Sequence, residues 1–262
     1  MLFIPNHGKK GKKSMKKSIL AMIMLGVVLT AGSAFAYTFN DATHDSVGYP
    51  NFELFGMNIN QSGSSLTFDI FTNYSGQQTV GSWTTYAADL GIDVDGNAST
   101  LEYGVAFRNN GSLTSGELYR VNTAYNSTLS NGWGTYADVL NGWYTSDHFA
   151  PYHHSGVGYI YNENLPVSIA QILGGSPLAY GTVAWSTPQS AMPWNRASVT
   201  LDVSAIFSDA AYTGNLNVFY AGATCANDYV SGKVPPAVPE PATMTLLGLG
   251  AMGLVGLKKR KA

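Results

Sequence analysis

The chain has a single cysteine, Cys225, in 262 residues, so it can form no intrachain disulfide framework and no multi-cysteine zinc or iron–sulfur site. Charge is scarce as well, at 11% of residues, and the formal net charge of −2 hides its distribution. Only four basic residues, Arg108, Arg120, Arg196 and Lys233, lie between Asp41 and Glu240, whereas all sixteen acidic residues do, which leaves that stretch at −12. A body of that charge repels phosphate, which argues against a nucleic-acid partner. No long amphipathic helix, internal repeat or motif of an activated nucleophile is visible, and the chain is therefore expected not to be an enzyme. Glycine and aromatic residues are plentiful, and the roughly 200 residues between the termini suffice for one sizeable core.

The ten remaining basic residues sit at the two ends. Lys9, Lys10, Lys12, Lys13, Lys16 and Lys17 precede an apolar run from Ile19 to Leu29 that is too short to span a bilayer of roughly 30 Å comfortably, and Ala34-Phe35-Ala36 follows. A cationic end, an apolar segment and small residues at Ala34 and Ala36 describe a secretory signal peptide over residues 1–36, exported by the Sec machinery and cut by signal peptidase between Ala36 and Tyr37. A start at Met15 gives a more compact version of the same signal.

The other end has three parts in a fixed order. Residues 233–242 form a proline-rich linker containing Pro239-Glu240-Pro241, and an apolar run from Thr243 to Leu257 follows. Its 15 residues reach about 22 Å as a helix, which a locally thinned membrane and snorkelling lysines accommodate. Lys258, Lys259, Arg260 and Lys261 then hold the tail in the cytoplasm, so residues 243–262 read as a transmembrane helix with a basic stop. Pro-Glu-Pro, a span bearing Gly248, Gly250, Gly253 and Gly256, and a terminal basic cluster together resemble the PEP-CTERM protein-sorting domain. The resemblance implies recognition by exosortase, removal of the anchor near Pro-Glu-Pro and export with exopolysaccharide. The implied localisation is a transient inner-membrane intermediate, then the cell surface or extracellular matrix. An ordinary tail anchor would explain the apolar run but not the Pro-Glu-Pro block.

The middle, residues 37–232, alternates with period two. Leu66, Phe68 and Ile70 interleave with Thr67, Asp69 and Phe71, and Val199, Leu201 and Val203 with Ser198, Thr200 and Asp202. Further strands are expected over 52–59, 83–94, 101–108, 117–122, 158–161, 166–172, 179–185 and 215–223, with helical turns around 205–210. Turn-rich links such as Asp95-Gly96-Asn97 and Asn109-Asn110-Gly111 separate them. The pattern predicts an all-β fold, an antiparallel sandwich of the jelly-roll kind. The segments 82–85, 89–96, 102–107 and 223–228 loosely resemble domains that accompany such sorting tails, although Ala226 stands where those domains have glycine.

Candidate sites are few. Asp93, Asp95, Asn97 and Glu102 place oxygen donors at alternate positions of one loop, which suits a hard cation such as calcium. It is not an EF-hand, since Ala98 and Gly104 replace the required glycine and glutamate, and a polar hairpin turn explains the same residues. Asp147, His148, His153 and His154 form a second cluster without a metal-site spacing, His44-Asp45 is weaker, and Cys225 has no partner. Asn73-Tyr74-Ser75 and Asn126-Ser127-Thr128 match glycosylation sequons. Sixteen tyrosines and five tryptophans serve either sugar stacking or core packing. The reading that fits best is a structural or adhesive matrix component, then a glycan-binding module associated with exopolysaccharide, and lastly a secreted hydrolase.

Overall fold

A computed structural model describes residues 34–41, 52–80, 83–97, 99–128, 138–145, 165–188, 193–223 and 228–235. Chain order begins β1 (Ala34–Asn40), β2 (Leu54–Ser62), β3 (Ser65–Thr72), β4 (Gln77–Val80), β5 (Trp83–Tyr86) and β6 (Leu90–Asp93). It continues with β7 (Tyr103–Val105), β8 (Glu117–Arg120), β9 (Ser127–Thr128), β10 (Asp138–Leu140), β11 (Trp143–Thr145) and β12 (Pro166–Ile169). The last elements are β13 (Ala179–Tyr180), β14 (Ala184–Ser186), β15 (Asn195–Asp202), a one-turn helix α1 (Ser204–Phe207), β16 (Leu216–Tyr220) and β17 (Val230–Val234). Residues 34–236 form one compact unit.

The unit is nearly all β, and every strand pair in it is antiparallel. A five-stranded sheet runs β1-β2-β3-β15-β14 and a six-stranded sheet runs β13-β8-β7-β6-β16-β17, with smaller sheets β12-β11-β10-β9 and β4-β5. Leu66, Phe68 and Ile70 of β3 and Val199 and Leu201 of β15 point into the core, opposite partners in register from Ser65↔Asp202 to Thr72↔Asn195. One apolar cluster joins these residues to Leu90, Ile92, Val105, Val218 and Tyr220 of the six-stranded sheet. The two sheets also meet where β1 lies by β17 and β13 by β15. Each fully buried Leu or Ile in such a core contributes on the order of 1.5–3 kcal/mol of transfer free energy.

The β6–β8 part of the six-stranded sheet is covered on its second face too. Gly104 in β7 has no Cβ because that atom would stand 2.7 Å from Ile169 Cδ1 and 2.9 Å from Trp143 Cη2. Ile169 and Trp143 come from β12 and β11, and with Ala106, Leu113, Tyr119 and Val121 they form a smaller second core. That double burial explains where the expected strands fail. The expected strand 83–94 is two, β5 and β6, parted by Ala87–Asp89, where Asp89 N donates to Val167 O of β12. The expected strand 179–185 is also two, and β13 and β14 belong to different sheets. The chain crosses between them at Gly181, whose absent Cβ would lie 2.6 Å from Thr200 O.

The ends of the unit overrun their expected limits. β1 spans the expected cut between Ala36 and Tyr37, and β17 continues two residues past 232 to Val234. Gly232 there leaves room for the Phe39 ring of β1, which a Cβ would meet at 2.2 Å. The expected strand 158–161, the Pro239-Glu240-Pro241 block and the expected membrane helix lie outside the described residues. Among the described residues no helix is long and apolar enough to cross a membrane.

Candidate functional site

The acidic loop connects β6 to β7, so the hairpin brings its two ends together. Asp93, Asp95 and Glu102 each offer a carboxylate oxygen, all within 4.8 Å of one another. Local chemistry builds the loop stepwise. Asp93 Oδ1 accepts from the Asp95 and Gly96 amides at 3.0 and 2.8 Å, Asp95 Oδ1 from the Asn97 amide at 2.7 Å, and Asn97 Oδ1 from the Ser99 amide at 3.2 Å. These are successive Asx turns, with Gly96 at φ +83° where a side chain would be strained. Glu102 Oε2 closes the loop by accepting from the Val94 amide at 3.0 Å. Asp93 is buried and also takes the Asn217 side-chain amide on Oδ2 at 2.7 Å, from the neighbouring β16.

Both readings of these residues thus rest on the same geometry: the turn that uses each oxygen as an acceptor also gathers three carboxylates. Three hard, anionic oxygens at this spacing match the ligand preference of calcium. Asn97 is exposed and its Oδ1, like Asp93 Oδ1 and Asp95 Oδ1, accepts an amide of its own turn, and Gly104 packs against Ile169 and Trp143.

Two other titratable groups, which the sequence did not single out, hold elements together. Asp89 is buried, and its carboxylate accepts from the Phe107 amide at 2.9 Å, the Ser168 hydroxyl at 2.8 Å and the Ile169 amide at 2.9 Å. It clamps β12 onto the six-stranded sheet. Burial pushes its carboxyl above the usual range, against those three hydrogen bonds and the nearby Arg108. Its only signal in the sequence is an acid placed inside the apolar run Ala87-Ala88-Asp89-Leu90. Tyr103 donates to Asp209 Oδ2, which Arg120 Nη2 also meets at 3.1 Å. Burial first, and Asp209 second, push the Tyr103 phenol well up, so it stays protonated. Hydrogen bonding from the Ala211 amide, then from Tyr103, holds Asp209 low.

Asp228 also holds distant segments together, since its Oδ2 accepts from the Leu54 amide at 2.7 Å across 174 residues. The aromatic residues divide between core and surface: Tyr74, Tyr103, Tyr119 and Tyr220 are fully buried and Trp143 nearly so, whereas Tyr125, Tyr180 and Tyr229 are exposed. His44, Asp45, Asp147, His148, His153, His154 and Cys225 lie outside the described residues. Of the sequons, Asn126 Oδ1 accepts from the Asn141 amide at 2.6 Å, and Asn73 is exposed.

A family model of the PEP-CTERM protein-sorting motif matches residues 237–261, directly after the compact unit. No curated protein and no solved structure matches the chain. The motif marks an exported protein that exosortase sorts and that its C-terminal end holds transiently at the membrane.

Proposed function

We propose that this chain is a structural or adhesive component of the cell surface or extracellular matrix, built as a β-sandwich body and delivered by exosortase. Signal peptidase cuts it between Ala36 and Tyr37, the basic tail Lys258–Lys261 stops transfer, and exosortase releases the body near Pro239, Glu240 and Pro241. The observation that carries the reading is the sorting motif at 237–261 following a unit that ends at 236 with its own core. A sandwich is supported by the core that the five- and six-stranded sheets share and by their contacts at both edges. A matrix role is favoured over hydrolysis because the buried Asp89, Asp93 and Asp228 all bind backbone amides, which suits bracing rather than acid–base work.

The test is intact mass of the exported product from a host with exosortase and from one lacking it. With the enzyme, the product should begin at Tyr37 and end near Pro239–Pro241; an unchanged C-terminus in the competent host overturns the sorting step.

One observation favours a cofactor in addition. The three carboxylates of Asp93, Asp95 and Glu102 within 4.8 Å support calcium as a brace for the β6–β7 loop. Calcium would relieve repulsion of about 1 kcal/mol for each pair of charges at such a separation in water.

A further inference from the structure

The outer face of the five-stranded sheet is a second surface of distinct chemistry. Register places Thr38, Asn58, Asp69 and Ser198 in one cross-strand row and Asn60, Thr67 and Thr200 in the next. All are exposed or half-buried, while their neighbours along each strand point into the core. With strands about 4.8 Å apart, the rows form a flat grid of hydroxyl and amide groups. Thr67 Oγ1 and Thr200 Oγ1 already share a hydrogen bond of 2.8 Å across it. One end of the face is aromatic: Phe55 and Trp194 stack with centroids 4.7 Å apart, beside the half-buried Phe71.

Two atoms of this face are unsatisfied. Asn58 Oδ1, an acceptor, and Arg196 Nε, a donor, are both shielded from water and without a hydrogen-bond partner. Arg196 Nε does face Asp69 Oδ1, but at 3.9 Å, which is an ion pair and not a hydrogen bond. Neither atom is open to an added molecule, but the Arg196 side chain is 39% exposed, so its outer guanidinium nitrogens can donate, and the Thr67 and Thr200 hydroxyls can donate and accept. A polymer rich in hydroxyl groups supplies partners for both. Charge narrows the class further: Asp69 and Arg196 cancel within a body that is otherwise strongly acidic, so the rows are locally neutral. An acidic polymer gains nothing here and is repelled by the surroundings.

We propose that this face binds a neutral polysaccharide, stacking a sugar ring at the Phe55–Trp194 end and hydrogen-bonding its hydroxyls through Arg196, Thr67 and Thr200. The proposal rests on the adhesive reading of the body and gives that reading a surface. Aromatic rings present an apolar face to the C–H side of a pyranose, and the flat grid allows successive residues of one chain to be held.

The unit Ala34–Pro236 contains both cores and is the protein to use. Its migration is compared in native gels cast with dextran, galactomannan or hydroxyethyl cellulose, and with alginate as an acidic polymer. Retardation is expected in at least one neutral gel and not in alginate. Trp194→Ala and Thr200→Lys should each weaken it roughly three- to tenfold, and Ser231→Lys, at an exposed position of β17 in the other sheet, should leave it unchanged. Because Trp194→Ala also removes half-buried packing, Thr200→Lys at its exposed position carries the decision. No retardation in any neutral gel overturns the face, while the delivery of the body on which it rests stands or falls on the intact mass of the exported product. Retardation that survives Thr200→Lys overturns the face alone. Equal retardation in alginate, or a dimer that Thr200→Lys splits into monomers, overturns the neutral-polysaccharide assignment.

Discussion

The two large sheets obey different rules. In the five-stranded sheet β2, β3 and β15 run eight or nine residues, and inward apolar residues alternate with outward polar ones along most of each, apart from the bulge between Leu54 and Gly56, the inward Gln61 and Thr72 and the outward Phe55 and Phe71. In the six-stranded sheet β6 and β7 are only four and three residues long and buried throughout, as Leu-Gly-Ile-Asp and Tyr-Gly-Val. The cause is cover: the five-stranded sheet has a core on one side, whereas β6 to β8 of the six-stranded sheet have one on both, and β16 and β17 beyond them alternate again. A sheet with one free face keeps polar residues there and can offer them to a ligand, whereas a doubly covered sheet must admit neighbours through glycine and must bind its buried acids to backbone amides. Binding chemistry is therefore expected on the first sheet, and bracing chemistry within and at the ends of the second.

The sharpest way to break that contrast is Gly104→Val. The added methyl groups enter space held by Ile169 and Trp143, and the smaller core must part from β7. Overpacking of this kind costs about 3 kcal/mol, which is roughly a 6–12 °C fall in melting temperature for a domain of this size. A melt of the unit Ala34–Pro236 measures it; a fall of less than about 2 °C would mean that the β9–β12 sheet does not pack on β7 as described.

Next in size is Asp89→Ala. Three donors, the Phe107 and Ile169 amides and the Ser168 hydroxyl, lose their acceptor. Each unmet buried donor costs roughly 1–3 kcal/mol, and relief of the buried charge offsets part of this, leaving a loss of about 2 kcal/mol. The effect also depends on pH. Burial raises the Asp89 carboxyl above its ordinary 3.8, so the folded state holds that proton more tightly than the unfolded chain does. The contribution of Asp89 is therefore largest at pH 3.8 and below and declines as pH rises through the raised value. The gap between wild type and variant, read by denaturant melts from pH 3.5 to 8, should narrow in that direction; a gap that widens with pH would contradict the assignment.

How much of this the sequence disclosed follows the same division. The alternations Leu66, Phe68, Ile70 and Val199, Leu201, Val203 are readable because a half-exposed strand writes its two faces into alternate residues. The strand expected over 83–94 reads as continuous because apolar residues on both faces of its second half erase the period; the acid at Asp89 is the one local sign of the break at Ala87–Asp89, and its partner Ser168 is 79 residues away. β4, with Gln77, Gln78 and Thr79, escaped notice for want of apolar residues, as did the two-residue β9. The acidic loop was legible as a spacing, since Asx turns and cation sites both need an oxygen at every second residue. The sorting tail was legible because the order of its three parts is itself a property of sequence. The polar grid needed the register of three separate strands, which no single segment carries.

Calcium gives an effect of comparable size but opposite sign, confined to one loop at the end of the second sheet. At free calcium a hundred times Kd, one site stabilises the fold by roughly 2.7 kcal/mol, or about 5–10 °C. Melts of the unit in EDTA and in millimolar calcium measure it. Asp95→Asn, at an exposed position, should remove most of the response while changing the EDTA melt little, because one of three mutually repelling charges is gone. Identical melts with and without calcium leave the loop as a chain of Asx turns and no more.

The smallest expected change in stability tests the first sheet. Thr67→Val keeps the shape of the side chain and removes one hydroxyl from the 2.8 Å contact with Thr200 on the open face. Water can satisfy the Thr200 hydroxyl left behind, and valine favours strands as much as threonine does, so the melt should move by no more than the equivalent of about 0.5 kcal/mol. Leu66, the next residue along β3, faces inward and is fully buried. Leu66→Ala should cost about 2–5 kcal/mol. The same pair should reverse order in neutral-polysaccharide gels: Thr67→Val weakens retardation although its fold is intact, and Leu66→Ala, measured well below its lowered melting temperature, retains it. Should Thr67→Val destabilise the unit as much as Leu66→Ala does, the outer face is covered after all, and the contrast between an open sheet and a closed one falls with it.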